Sequence, residues 1–185
     1  MLHKVTQFYR PEWLLVGAAI LALSQMTPSL LDAMAVATPS ANKPFGDLAG
    51  FRPHYMREHQ DATAVTLHVV GTSLIVLLVL AHPELLGAGV LALQCGRLAF
   101  ACFRALDHGL FEALVVLSVF FATVKFLRGS VAMALVALAV GYSFAWTGHF
   151  FFERNRPATF VYPTYSLVCD FLMWIEVLTG VTVTL

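Results

Sequence analysis

Residues 64–82, AVTLHVVGTSLIVLLVLAH, run for 19 positions without a Lys, Arg, Asp or Glu. A helix rising 1.5 Å per residue needs about 20 apolar residues to cross the hydrocarbon core of a bilayer, so this stretch is long enough to span. Three further segments, at about 86–104, 109–127 and 130–152, have similar length and apolarity. The expected fold is therefore all-α: a polytopic membrane helix bundle of about four transmembrane helices, with interfacial helices at both ends. Composition agrees. Of 185 residues, 59% are hydrophobic and only 12% charged, against roughly a quarter charged in soluble domains.

Eleven Lys and Arg balance eleven Asp and Glu, and a neutral chain lacks the long-range field that gathers a polyanion. No nucleic-acid partner is expected. Cys95, Cys102 and Cys169 are odd in number and lack C-x-x-C spacing, which argues for packing residues rather than a disulfide framework or a zinc ribbon.

Residues 1–50 form an N-terminal extension with a short apolar run, Trp13 to Leu23, preceded by Lys4 and Arg10 and followed by Pro28 and small residues. It is either a targeting segment or a helix on the protein or membrane surface, because about 11 apolar residues are too few to span. Residues 51–185 form a single membrane-embedded domain. Within the second span, Arg97 lies near the level of Glu112 across a hairpin at Asp107-His108-Gly109, so an Arg97–Glu112 ion pair is expected. The last 28 residues are apolar and aromatic but interrupted by Pro163, Asp170 and Glu176. They suit an interfacial helix, with Tyr162, Tyr165 and Trp174 in an aromatic belt.

Lys43, Arg52, Arg57, Arg104, Arg154 and Arg156 fall on one side of the four spans, and Lys125 and Arg128 on the other. That bias puts both termini in the cytoplasm. An even number of spans also brings together the two ends where polar residues concentrate.

One end reads WTGHFFFERNRPATFVYP, residues 146–163. His149 and Glu153, four residues apart, share a helix face about 40° apart, so both reach one ion or proton. The other reads YMREHQDATAVTLHVVGTSL, residues 55–74. His59 and His68 on one straight helix would point in opposite directions; they share an ion only if the helix breaks. Asp61 is suited to cap a new helix starting at Ala62, and Pro53 to begin a short one before it. His3, His54, His82 and His108 are terminal, next to a proline or in turns, and are taken as solvated or interfacial. Three histidines converging with Glu153 make a metal site, and imidazole with carboxylate suits Fe, Zn or Mn. Paired H-x-x-H-H boxes are missing, which favours one metal over a di-iron pair. Asp170 either accepts a hydrogen bond from the far nitrogen of a ligand histidine or faces the headgroups.

GHFFFERNRPATFVYPTYSL, CDFLMW and Y-x3-H-x8-H-V-V-G-T together resemble the small membrane-protein family whose characterised members are Fe(II)-dependent 2-hydroxy fatty acid dioxygenases. The resemblance covers about residues 55–82 and 140–180. It implies Fe(II) held by His59, His68 and His149, with Glu153 as a fourth ligand or a base beside the ion, and Arg156 within the same motif. Tyr55, Arg154 and Asp170 are expected to support the ion or the substrate, and either Arg154 or Arg156 to steady a carboxylate. The substrates implied are a 2-hydroxy fatty acid and O2, in fatty acid α-oxidation and sphingoid-base breakdown. The membrane implied is the endoplasmic reticulum in a eukaryote or the inner membrane in a bacterium, with the site on the cytoplasmic side. Two positions depart from the family pattern, Ala64 and Ala145, where polar residues are usual. The separation of His68 from His149 implies an expanded helical hairpin at about 84–125. A zinc hydrolase using the same ligands, and a scaffold or lipid-binding protein whose histidines only join helices, are the alternatives.

Overall fold

The computed structural model describes residues 11–34 and 39–185, without the side chains of 31–34. Seven α-helices are present there: α1 Pro11–Met34, α2 Leu48–Arg57, α3 Ala62–Ala81, α4 Glu84–Phe103, α5 Leu110–Arg128, α6 Ala132–Thr147 and α7 Pro163–Thr179. A π-helical turn, Gly148–Glu153, extends α6, and a 3₁₀ turn, Ala158–Phe160, precedes α7. No strand occurs among the described residues.

Five helices are long and apolar enough to cross a membrane, the four expected and α1. The apolar run of α1 was counted as ending at Leu23, but the helix continues through Pro28 to Met34. A proline removes one backbone donor, here the one that would meet the Ser24 carbonyl, and the helix continues past it; the Ser24 and Thr27 hydroxyls bond back to the Ile20 and Leu23 carbonyls. Trp13 and Val16 lie beside Gly87, Ser24 bonds Gln94, and the Ser40 backbone N–H bonds the Arg104 carbonyl. α1 therefore runs parallel to α4, with Pro11 at the end away from the histidines; the expected cytoplasmic placement of the N-terminus concerns residues outside the described ones.

The body is two helical pairs. In the first, Ala88, Ala92 and Gly96 of α4 form a buried stripe of small residues, which lets backbones approach in the absence of a hydrophobic drive between helices. A Cβ at Gly96 would lie 2.7 Å from Val116 of α5 and 2.5 Å from Thr164 of α7. In the second pair, α3 crosses α6 at Gly71, where a Cβ would come within 2.8 Å of Phe144. The pairs meet at the end away from the histidines, where Leu85, Ala88, Val124 and Ala134 form a buried cluster with Val79 and Phe120 beside it. At the other end α2 and α7 close the bundle. Phe51, Tyr55, Phe100, Tyr162, Cys169 and Met173 pack into one cluster there.

Two expectations are corrected at this end. Glu112 pairs with Lys43 at 3.2 Å, both side chains being 1% exposed or less, while Arg97 is exposed and donates to Gln94. Tyr162 and Trp174 turn inward instead of forming a belt: the Tyr162 hydroxyl accepts the Phe45 N–H at 2.9 Å, and the Trp174 indole donates to Ser73 at 2.9 Å.

Candidate metal centre

His59, His68 and His149 come together although 90 residues of sequence separate the outer two, and each offers a nitrogen within 4.8 Å of the others. All three are buried, and their rings are 4.7–5.2 Å apart centre to centre. The helix break makes this possible. α2 ends at Arg57 and α3 starts at Ala62, with the Asp61 carboxylate accepting the N–H groups of Thr63 and Ala64 at 2.8 and 3.0 Å. The short helix is capped by Asp47, which accepts from Gly50 at 2.7 Å, so Pro53 lies inside α2 and does not begin it.

His149 is set by the π-helical turn. One extra residue per turn re-aims a side chain, and such turns cluster at functional sites. The turn ends at Arg154, whose φ of 54° is the one positive value outside glycine among the described residues and whose N–H bonds the His149 carbonyl. Ala64 lies against Gly148, 3.4 Å from where a Cβ would stand, so the small residue at this departure from the family pattern seats the turn against α3.

Each histidine Nδ1 faces an acceptor. His59 Nδ1 is 2.7 Å from the Tyr55 carbonyl, His68 Nδ1 is 2.6 Å from Asp170 Oδ1, and His149 Nδ1 is 2.7 Å from Asn155 Oδ1. A carbonyl and a carboxylate only accept. The Asn155 amide is oriented by its own NH2, which donates to the Glu58 carbonyl at 2.8 Å and to the Glu58 carboxylate at 3.1 Å, so its oxygen faces the imidazole. All three protons therefore sit on Nδ1, leaving a lone pair on each Nε2. The Nε2 atoms of His59 and His68 are buried without a hydrogen-bond partner, which costs on the order of 1–3 kcal/mol each unless something binds there. Burial also pulls the His59 imidazole down to about 3, keeping it neutral.

Asp170 is held by three donors, since Thr72 and Tyr55 hydroxyls join His68 on its carboxylate. Burial and then the Asp170 charge push the Tyr55 phenol upward, so it stays a donor. Glu153, expected as a fourth ligand or a base beside the ion, stands outside the histidine group: its Oε1 accepts the Asp61 N–H at 2.7 Å, tying the π-turn to the helix break. Arg154, which caps that turn, and Arg156, two residues beyond it, are exposed, Arg156 lying over the Phe160 ring. Asn155 and Glu58 were not singled out from the sequence; the signal available was a polar residue two positions after Glu153.

A mostly apolar cavity of about 320 Å³ opens from the histidines and runs between the two helical pairs. His68 and His149 line one end and Val79 and Leu85 the other, with Leu86 and Trp146 along its flank. Those two flank residues remain 57% and 40% exposed, so the slot is open to the side.

The model of a family described as 2-hydroxy-palmitic acid dioxygenase Mpo1-like matches residues 45–113 and 108–182, about three quarters of the chain. The chain belongs to the Mpo1-like family. Both matched segments carry site residues: His59 and His68 lie in the first, and His149, Asn155 and Asp170 in the second. No curated protein and no solved structure matches the chain. The family name, the apolar helices and the buried histidine triad fit together as an integral membrane protein with a metal-capable site.

Proposed function

We propose that this Mpo1-like protein is an Fe(II)-dependent dioxygenase that cleaves 2-hydroxy fatty acids between C1 and C2. One observation carries the reading: three imidazoles present Nε2 lone pairs to one point while every Nδ1 proton is spent on an acceptor. Three neutral nitrogen ligands suit Fe(II), Zn(II) or Mn(II) and leave positions open on the ion; the dioxygenase in the family's description supports a redox-active metal, and we take it as iron. Iron held by His59, His68 and His149 would supply the O2-activating and Lewis-acid chemistry that cleavage of a 2-hydroxy acid needs. The balanced reaction converts R–CH(OH)–COOH and O2 into R–COOH, CO2 and H2O.

The protein's own groups do the rest. Asp170 fixes the tautomer and orientation of His68 and raises its basicity, and Asn155 does the same for His149. Glu153 keeps the His149 turn docked on the break that positions His59. Arg154 and Arg156, exposed just past that turn, meet the carboxylate as it arrives and pair with it. The apolar slot takes the acyl tail and keeps bulk water from the reacting carbon. We place the site on the cytoplasmic side, where the Lys and Arg bias lies. Residues 51–185 act as one catalytic domain, with the α4–α5 hairpin as an addition that forms one wall of the slot.

Anaerobically purified protein is expected to bind iron and, with O2, to convert 2-hydroxypalmitate into the acid one carbon shorter. Iron-loaded protein that leaves 2-hydroxypalmitate intact would exclude this substrate class, and zinc as the bound metal would favour a hydrolase.

A further inference from the structure

The slot ends at a definite depth. On α3 its lining runs from His68 to Val79, and on α6 from Ala137 to His149, which at 1.5 Å per residue gives about 16 and about 18 Å. The two helices agree because the slot is closed by the cluster where the pairs meet, with Leu85 buried at its centre and Val79, Phe120 and Ala137 against it. An extended alkyl chain advances about 1.25 Å per carbon, from bonds of about 1.5 Å at about 111°. The slot therefore accepts about 13–14 carbons beyond the histidine end, and about 15–16 with C1 and C2 at that end.

Partway along, the walls carry two glycines. Gly141 is eight residues from His149, about 12 Å, and Ile75 seven from His68, about 10 Å; a Cβ at Gly141 would lie 3.9 Å from Ile75, so both mark one depth. On the facing wall Gly89 belongs to the stripe Leu86, Gly89, Val90 and Leu93 that lines the slot, and a Cβ there would meet nothing within 4 Å. The space is kept open by absent side chains.

We infer that the slot is a chain-length gauge for one alkyl tail: the cluster around Leu85 is its stop, and Gly89 and Gly141 are the specificity-determining positions that let a tail reach it. The occupant is the tail of a single long-chain carboxylic acid, since the slot is mostly apolar along its length and its histidines and Asp170 lie at one end, with Tyr142 a polar group at mid-depth. This rests on the proposed reaction for the acid's head, while the gauge depends on the walls alone.

Gly89→Leu fills the slot about 11 Å from the histidines, leaving room for about 9 carbons beyond the head. The test uses metal-free and iron-loaded protein with 2-hydroxy acids from octanoate to eicosanoate. In the metal-free wild type, thermal stabilisation and competition with a fluorescent fatty acid are expected to peak near 2-hydroxypalmitate. In Gly89→Leu the peak moves to 2-hydroxylaurate or shorter, and affinity for 2-hydroxypalmitate falls about a hundredfold, the burial of some four methylenes. Gly141→Leu, placed on the opposite wall, gives the same shift and covers a folding failure of the first variant. A length profile unchanged in either folded variant, or no binding of any acid to the wild type, overturns the gauge. Length-selective binding without chain shortening by the iron-loaded wild type would instead remove the reaction and leave the gauge standing.

Discussion

Two clusters of polar side chains are buried at the same end of this bundle, and they follow opposite rules. Around Lys43 and Glu112 every charged atom is answered: the ammonium pairs with Oε2 and lies 4.9 Å from the Phe100 ring centre, while Oε1 accepts the Thr164 N–H at 2.9 Å. Around the histidines the outer nitrogens are answered, and the inner ones of His59 and His68 are buried without a partner. A closed network joins the 39–47 loop, α5 and α7, with its opposite charges already paired to each other. An open one spends binding capacity on something yet to arrive. Residue types alone would rank both as functional, since ionisable groups inside membrane helices usually are; the leftover lone pairs separate them.

Removing a ligand should break the comparison most sharply. His68→Ala and His149→Ala are expected to abolish bound iron and turnover, while the metal-free protein keeps its fold; elemental analysis beside circular dichroism measures both. Lost stability with unchanged metal content would make these histidines helix ties of the Lys43 kind. Next comes Glu112→Ala, which strands a buried ammonium and should cost about 3–5 kcal/mol, read from denaturant titration in detergent, with iron per folded chain unchanged. Replacing the pair together, Lys43→Met with Glu112→Leu, should recover most of that loss. Asp170→Asn weakens the anchor behind His68 and should lower metal affinity about 10- to 100-fold, measured by competition with a chelator. The smallest effect is at Arg154, where glycine accepts the positive φ without a Cβ clash. Arg154→Gly should raise stability by about 0.5 kcal/mol, seen as a small rise in the unfolding midpoint.

Much of the fold was legible where local chemistry decides it. Four charge-poor segments of about 20 residues announced four helices, and the Asp61 cap announced the break that brings His59 beside His68. Legibility failed where partners come from afar. Lys43 sits in a loop with no periodic pattern, 69 residues from Glu112, so Arg97, nearer in the hairpin, was chosen as partner. The π-turn leaves no periodicity of its own, and Asn155 became meaningful only once Glu58 was seen to orient its amide. In α1, Pro28 and the small residues after Leu23 resemble a stop in the sequence, yet the helix runs on to Met34. The spacing of Glu153 from His149 suggests shared chemistry, and what it does not reveal is the bond from the Asp61 N–H to the Glu153 carboxylate.

The slot that opens beside Leu86 and Trp146 has a kinetic consequence. A tail admitted through that flank comes from the bilayer and not from water, so the quantity that sets occupancy is the mole fraction of substrate among lipids. Adding inert lipid or detergent at constant total substrate should slow turnover by surface dilution, and adding water should leave it unchanged. Under the proposed reaction the membrane would be the medium as well as the support.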